Sequence, residues 1–377
     1  MNIILAISSF KNYLSSIEAN IYLKKLLKKR LKSKYKIKIY PMADGGENTL
    51  EVLKYYFGGK TLTISTYDIY HKKILIKGLN FEKKSVFIGS SDILGLRNYN
   101  SDRINPETLS SYGLGIAIKK LSKKYKNIYI GLGGTMVADA GIGALEGCGA
   151  KFFDSELKEI KKMSHDKIKK INKFYIPKLF TNNKIYFLMD ADTRFRDLRF
   201  VISNKIGANF KNKKKNITSK IIKNIKFYSS KIHKKKIVDV MYSANAGGIW
   251  LSFFNLKNTY AVNGAKFISV KSKIKKNNLK KNVMIVGEGA FDNSLLGKGP
   301  VFLLSYMNNI KKNYYLTGKI DVPNIKFRKK NFFFISKPLF KKYNIKDVFL
   351  LPSYKLSKNN VKKQLQFFSK IFLKIIR

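Results

Sequence analysis

Short apolar runs that stop at glycine or aspartate, with helical spacing between them, constrain this chain more than any other feature. Ile3 to Ile7 is the first, with the character of a buried parallel strand. Ser15 and Glu18 then stand at capping-box spacing. Ala19, Leu23, Leu26, Leu27 and Leu31 follow at helical intervals, and Lys28 to Arg30 crowd the helix end, where cations suit its dipole. Ile37 to Tyr40 is a second strand, closed by Pro41. Strand, helix, strand is the signature of an α/β layer architecture. The pattern recurs at Asn127 to Leu132, which runs into glycines and then a small-residue helix through Leu145. It recurs at Lys184 to Met189 before Asp190, at Asn282 to Val286 before Gly287, and at Tyr314 to Leu316 before Thr317-Gly318. Ligands of open α/β sheets bind beyond the carboxyl ends of the strands, so a site is expected there.

With 377 residues the chain calls for two or three domains. Ile64 to Tyr67, Lys73 to Lys77 and Ser85 to Ile88 resemble strands of a smaller β-rich unit. Residues 198–238 hold no acid and many lysines, and are expected to form a solvated, partly helical excursion. Lysine and arginine number 76 against 23 acids, a net +53. Such a field draws in anions. The lysines travel with Asn, Ile, Tyr and Phe along nearly the whole chain, as drift in an AT-rich genome would produce on any fold. A polyanion-binding surface at 198–238 and 265–282 is the alternative, but no nucleic-acid module is recognisable. Cys148 is the one cysteine, so no internal disulfide forms, and its small-residue setting reads as packing. His71, His165 and His233 lie in polar, lysine-rich stretches and receive no role. No run approaches 18 apolar residues, and a cytoplasmic protein is expected.

Three segments carry chemistry. In Pro41-Met42-Ala43-Asp44-Gly45-Gly46-Glu47, a strand stops and an acid and paired glycines precede the helical pattern Thr49 to Tyr56. The same residues would serve a tight turn capped by Asp44. In Gly131-Leu132-Gly133-Gly134-Thr135, followed by Asp139, Gly141 and Gly143, bare amides at a helix start would cradle phosphate or carboxylate. Close helix–sheet packing would use the same glycines. In Gly287-Glu288-Gly289-Ala290-Phe291-Asp292, followed by Gly297-Lys298-Gly299, two carboxylates and a lysine suit Mg²⁺ and phosphate oxygens, or a structural ion pair. Asp190, flanked with Asp192 around Ala191, could orient or deprotonate a substrate hydroxyl, or cap a helix. Lys11 follows the first strand and could meet an anion.

In order and spacing these segments resemble the type-1 glycerate kinases, from Ser9-Phe10-Lys11 to Leu350-Leu351-Pro352. The specific pieces are the 41–47 motif, Tyr112-Gly113 with Gly115, the 130–150 segment, Asp190, Ala246-Gly247-Gly248, Gly287-Glu288-Gly289 with Asp292, and Gly297-Lys298. The resemblance implies a flavodoxin-like α/β domain from both chain ends (1–62 with 283–377), an inserted α/β domain (63–282) and a cleft between them. It implies D-glycerate, ATP and Mg²⁺ as ligands, with 2-phosphoglycerate as the favoured product. Oligomeric state stays open. The site it implies comprises Asp190, Lys11 and Lys298 for catalysis and Glu288 and Asp292 for metal. Asp44, Gly45, Gly46, Gly133, Gly134, Thr135, Asp139, Gly287 and Gly289 would bind substrate and nucleotide.

The chain departs from the family at several points. Ser8 stands where the family's first motif has aspartate, Ala138 replaces an asparagine and Ala290 replaces a basic residue. One residue is missing between Asp292 and Gly297, and the family's asparagine–proline loop is unrecognisable at Thr193 to Asp197. A weakened enzyme is therefore expected, with a dead one that keeps the fold as the alternative.

Overall fold

In the computed structural model the described residues are 2–10, 13–31, 35–95, 99, 105–197, 199, 201–202, 215–233, 239–272, 274, 282–292, 299–306, 312–321, 326–329, 332–334, 345–350 and 358–376. Lys11 and Lys298 lie outside them. The strands are β1 (Asn2–Ile7), β2 (Lys36–Ile39), β3 (Lys60–Tyr67), β4 (Lys73–Glu82), β5 (Ser85–Gly89), β6 (Asn127–Leu132), β7 (Lys151–Phe153), β8 (Lys173–Tyr175), β9 (Lys184–Met189), β10 (Thr259–Asn263), β11 (Val283–Asp292), β12 (Lys312–Asp321), β13 (Lys326–Lys329), β14 (Phe332–Phe334) and β15 (Ile345–Leu350). The chain divides into two compact units. Unit 1 is Met1–Asp44, Glu51–Tyr56 and Gly264–Arg377; unit 2 is Gly45–Leu50 and Phe57–Asn263.

Unit 1 carries a sheet ordered β13-β14-β15-β12-β11-β1-β2. Its five parallel strands, counted along the chain, run 2-1-3-4-5, the flavodoxin order. The order reverses between β1 and β11, whose carboxyl ends are paired at Ile7 and Gly287. Ile3, Leu5 and Ile7 alternate onto one face, against Leu23 and Leu27 of the helix Ser16–Lys28 and Leu365, Phe368 and Phe372 of the helix Lys358–Ile376. The capping box forms as its spacing predicts: Ser15 N–H donates to Glu18 Oε2 at 3.0 Å, and Glu18 N–H to Ser15 Oγ at 3.2 Å. The end of β1 is pinned by polar groups that periodicity did not reveal. Buried Asn20 donates to the Ile7 carbonyl (2.8 Å) and accepts from Ile7 N–H (3.2 Å), and Ser16 Oγ donates to the same carbonyl (2.6 Å).

Two strand ends differ from expectation. β11 does not stop at Gly287, nor β12 at Thr317: pairing continues to Asp292 opposite Asp321. Mutual hydrogen bonding of two glycine-containing segments carries both past the point where side-chain pattern gives out.

Unit 2 carries a sheet ordered β10-β9-β6-β5-β4-β3. β5, β6, β9 and β10 are parallel, and β3 and β4 complete it antiparallel. The strands of 63–110 therefore belong to no separate β-rich unit, because wholly buried β5 pairs with β6 along its length. The helix Lys215–His233 corrects the expected solvated excursion. Ile221, Ile225 and Tyr228 at helical intervals are buried in the unit 2 core, while Lys223 and Lys226 face water. Cys148 is packed as expected, and burial pushes its thiol up to about 12. Among the described residues no helix is long and apolar enough to cross a membrane.

His165 is also unlike its lysine-rich sequence setting: it is fully buried. Nε2 sits 3.4 Å from the Ile221 carbonyl and Nδ1 lies 3.9 Å from Glu107, which pairs with Lys220 at 2.7 Å. Burial lowers its pKa from 6.5 to about 4, against the pull of Glu107. The unfolded chain thus binds a proton between those values that the folded chain refuses, so stability is lost as pH falls through the window. The ceiling is about 3 kcal/mol. His165→Gln is expected to flatten the pH dependence of unfolding between pH 6.5 and 4, followed by the fluorescence of the single tryptophan, Trp250, in unit 2. A slope equal to wild type would refute this role.

Candidate active site

The carboxyl ends of the unit 2 strands are in register, with Leu132, Met189 and Asn263 side by side. Each strand therefore delivers its following loop to one edge. The Gly45–Leu50 segment lies against this edge. Gly45 has φ 99°, and a Cβ there would meet the Leu188 carbonyl at 2.4 Å. The turn is tied locally, with Gly45 N–H donating to Thr49 Oγ1 at 3.2 Å and Thr49 Oγ1 to the Gly46 carbonyl at 2.8 Å. The hydroxyl of Thr49 makes both ties.

Gly133 is where three predicted segments meet. A Cβ on it would lie 2.6 Å from Gly46 Cα and 3.1 Å from Asp190 Oδ2. A Cβ on Gly134 would stand 3.7 Å from Glu47 Oε1 and 3.1 Å from the Ser91 Cβ. The structure thus brings together Gly45, Gly46, Gly133, Gly134 and Asp190, and adds Glu47 and Ser91. Thr135 follows directly and is buried. Asp190 is half-buried; its Oδ1 accepts from the Asn245 side chain at 3.2 Å, while Oδ2 is the oxygen near Gly133. Asp192 is engaged differently. It accepts from Asn263 Nδ2 at 2.9 Å and bonds Tyr242, whose phenol burial and Asp192 push up to about 12.

Asp139 is not among the converging groups. It is fully buried and accepts four hydrogen bonds, from Ser111 N–H (2.8 Å), Ser111 Oγ (2.7 Å), Gly141 N–H (3.1 Å) and Gly143 N–H (3.3 Å). Burial pushes its carboxyl up, against those donors. Its oxygens organise the turn that starts the helix Ile142–Cys148.

In unit 1 the carboxyl end of β1 carries Ser8, whose N–H donates to the Gly287 carbonyl at 2.8 Å. Ser8 Oγ lies 3.1 Å from where a Cβ on Gly299 would stand, at the start of the helix Gly299–Tyr306. Half-buried Asp44 ends the unit's first stretch. Glu288 Oε1 accepts from the Tyr315 hydroxyl, a partner that sequence reading missed although the two sit on adjacent strands. Glu288, predicted with Asp292 as a metal ligand, stands four residues before it on β11, and the Asp292 side chain lies outside the described residues. Among the described residues no group of three or more His, Cys, Asp or Glu could hold a metal.

These features define a class: an α/β protein in which a largely parallel sheet gathers glycine-rich loops at the carboxyl ends of its strands, with the Asp190 carboxylate oriented against one of them. The chain belongs to the glycerate kinase family, whose profile matches residues 3–347. It is similar to the glycerate kinase of Neisseria meningitidis serogroup B, 27% identical over 157 residues, covering 41% of this chain and 42% of that protein. It is 23% identical over 312 residues to the glycerate kinase of Bacillus cereus, covering 80% of each. The glycerate 2-kinase of Escherichia coli K12 is 28% identical over 162 residues, 42% of each. The aligned part is thus about two fifths of the length of the Neisseria and Escherichia proteins. A crystal structure described as glycerate kinase 2 of Salmonella typhimurium LT2 superposes with a TM-score of 0.72 at 16% identity, covering 100% of this chain and 98% of that one, which establishes the shared fold.

Proposed function

We propose that this chain phosphorylates D-glycerate with ATP, 2-phosphoglycerate being the favoured product. The observation that carries the reading is the approach of the Asp190 carboxylate to the Gly46–Gly133 contact. A hydroxyl seated there would give its proton to Asp190 Oδ2 as its oxygen bonds the γ-phosphorus and the bond to the ADP oxygen breaks. The glycine loops at the strand ends would hold the carboxylate and phosphate oxygens. The net positive charge raises the local concentration of both anionic substrates. The test is turnover of D-glycerate by the purified chain with ATP and Mg²⁺, the phosphate position being read by NMR of the product. ATP consumption with phosphoglycerate release is expected; folded protein without turnover would reject the reading.

A second reading, an impaired enzyme, is favoured by Ser8 at the sheet's reversal point, where the family places an acid. Ser8→Asp combined with Ala290→Arg separates the two. A large gain in kcat marks an impaired natural site, no gain over a measurable kcat marks an intact one, and no gain from zero marks a deeper loss.

A further inference from the structure

We propose that Asn245 is a positioning residue for Asp190. This rests on the reading of Asp190 as the group that accepts the substrate proton. Asn245 is buried, 3% exposed. Its amide nitrogen donates to Asp190 Oδ1 at 3.2 Å and to the Ala191 carbonyl at 2.8 Å, so one side chain fixes both the carboxylate and the backbone that carries it. The Thr193 hydroxyl donates to Asn245 Oδ1, which sets the amide's orientation and aims its nitrogen at Asp190. With Oδ1 held, Oδ2 is the oxygen near Gly133.

The backbone around Asn245 is held unusually firmly. Tyr242 (φ 70°), Ala246 (φ 50°), Gly247 (φ 71°) and Gly248 (φ 87°) all adopt left-handed conformations. Two of these carry side chains, for which that region costs free energy. The loop is kept there by Asn245 N–H to Tyr242 carbonyl (3.0 Å), Gly248 N–H to Asn245 carbonyl (2.9 Å) and Ala140 N–H to Gly247 carbonyl (3.1 Å). A Cβ on Gly247 would come within 2.1 Å of the Val137 carbonyl, so the loop is seated directly on the 137–140 segment. Such local strain persists only where surrounding contacts over-determine it, and it clusters where a side chain must be aimed.

The experiment measures steady-state kinetics of the full chain with ATP, Mg²⁺ and D-glycerate for Asn245→Ala, Asn245→Asp, Thr193→Ala, the Asn245→Ala/Thr193→Ala double variant and Asp190→Ala. Asn245→Ala is expected to lower kcat roughly 30- to 100-fold with KM for either substrate changed less than about threefold, the signature of lost orientation rather than lost binding. Thr193→Ala should lose less, and the double variant no more than Asn245→Ala alone, because both act through one hydrogen-bonded unit. Asn245→Asp sets a second buried carboxylate about 3.2 Å from Asp190 Oδ1, so the pair shares a proton and the pH–rate profile is expected to shift upward, a change that a merely structural role would not produce. Asn245→Ala folded and within twofold of wild-type kcat, while Asp190→Ala is inactive, would overturn the proposal, as would an unshifted pH–rate profile in Asn245→Asp. An active Asp190→Ala would instead overturn the underlying reading of Asp190, and the proposal with it.

Discussion

Asp190→Ala is expected to lower kcat for D-glycerate by about 10²–10⁴-fold, the range for loss of a general base, with the protein still folded. Asp190 follows β9 directly and is half-buried, so its side chain contributes little to the apolar core. Asp192, two residues on, provides the internal control. Its bonds run to Asn263 and Tyr242, and it is not the carboxylate at Gly133. Asp192→Ala should therefore alter kcat far less. Equal losses in both variants, or full activity of Asp190→Ala, would remove Asp190 from the reaction.

Asp139→Ala should produce the largest loss of stability of any substitution considered, about 3–5 kcal/mol, the cost of breaking one side of a buried charged network. Four donors would be left facing a void in a place closed to solvent: the amides of Ser111, Gly141 and Gly143 and the Ser111 hydroxyl. Asp139→Asn should cost less, since one oxygen can still accept the three bonds that converge on Oδ2. Gly141 backs directly onto Ile249, the neighbour of Trp250, so Trp250 fluorescence in urea reports unfolding of this region. A midpoint for Asp139→Ala equal to that of wild type would refute the structural role. The raised carboxyl pKa points the same way, since burial charges a price on the ion that only these donors offset.

Much of the fold was legible. Ile3–Ile7, Asn127–Leu132 and Lys184–Met189 are strands because each is a short apolar run of strand length, and the Ser15–Glu18 box starts a helix because its bonds close within one turn. Less could be read where pairing depends on a distant partner. β11 and β12 extend through glycines because each satisfies the other's backbone, and β3 to β5 join the larger sheet because β5 finds β6 some forty residues on. His165 stands in a polar, lysine-rich stretch, yet Glu107 and the helix Lys215–His233 enclose it.

The candidate site divides along the same line. Local sequence marked Gly45, Gly46, Gly133, Gly134 and Asp190, because chain reversal at a strand end needs residues that tolerate close approach and left-handed backbone. It placed Asp190, Asp192 and Asp139 alike beside turns, and the family resemblance set Asp139 in the binding site with the glycines. The three are told apart by partners remote in sequence: Asn245 for Asp190, Asn263 and Tyr242 for Asp192, Ser111 for Asp139. The amino-acid order by itself determined the elements, their α/β alternation and the family, because periodicity and motif spacing are properties of neighbouring residues. Only the tertiary structure decided which carboxylate is oriented at the glycine cradle and which is buried as scaffold. Burial and hydrogen-bond supply depend on what packs around a group, which no stretch of sequence carries alone.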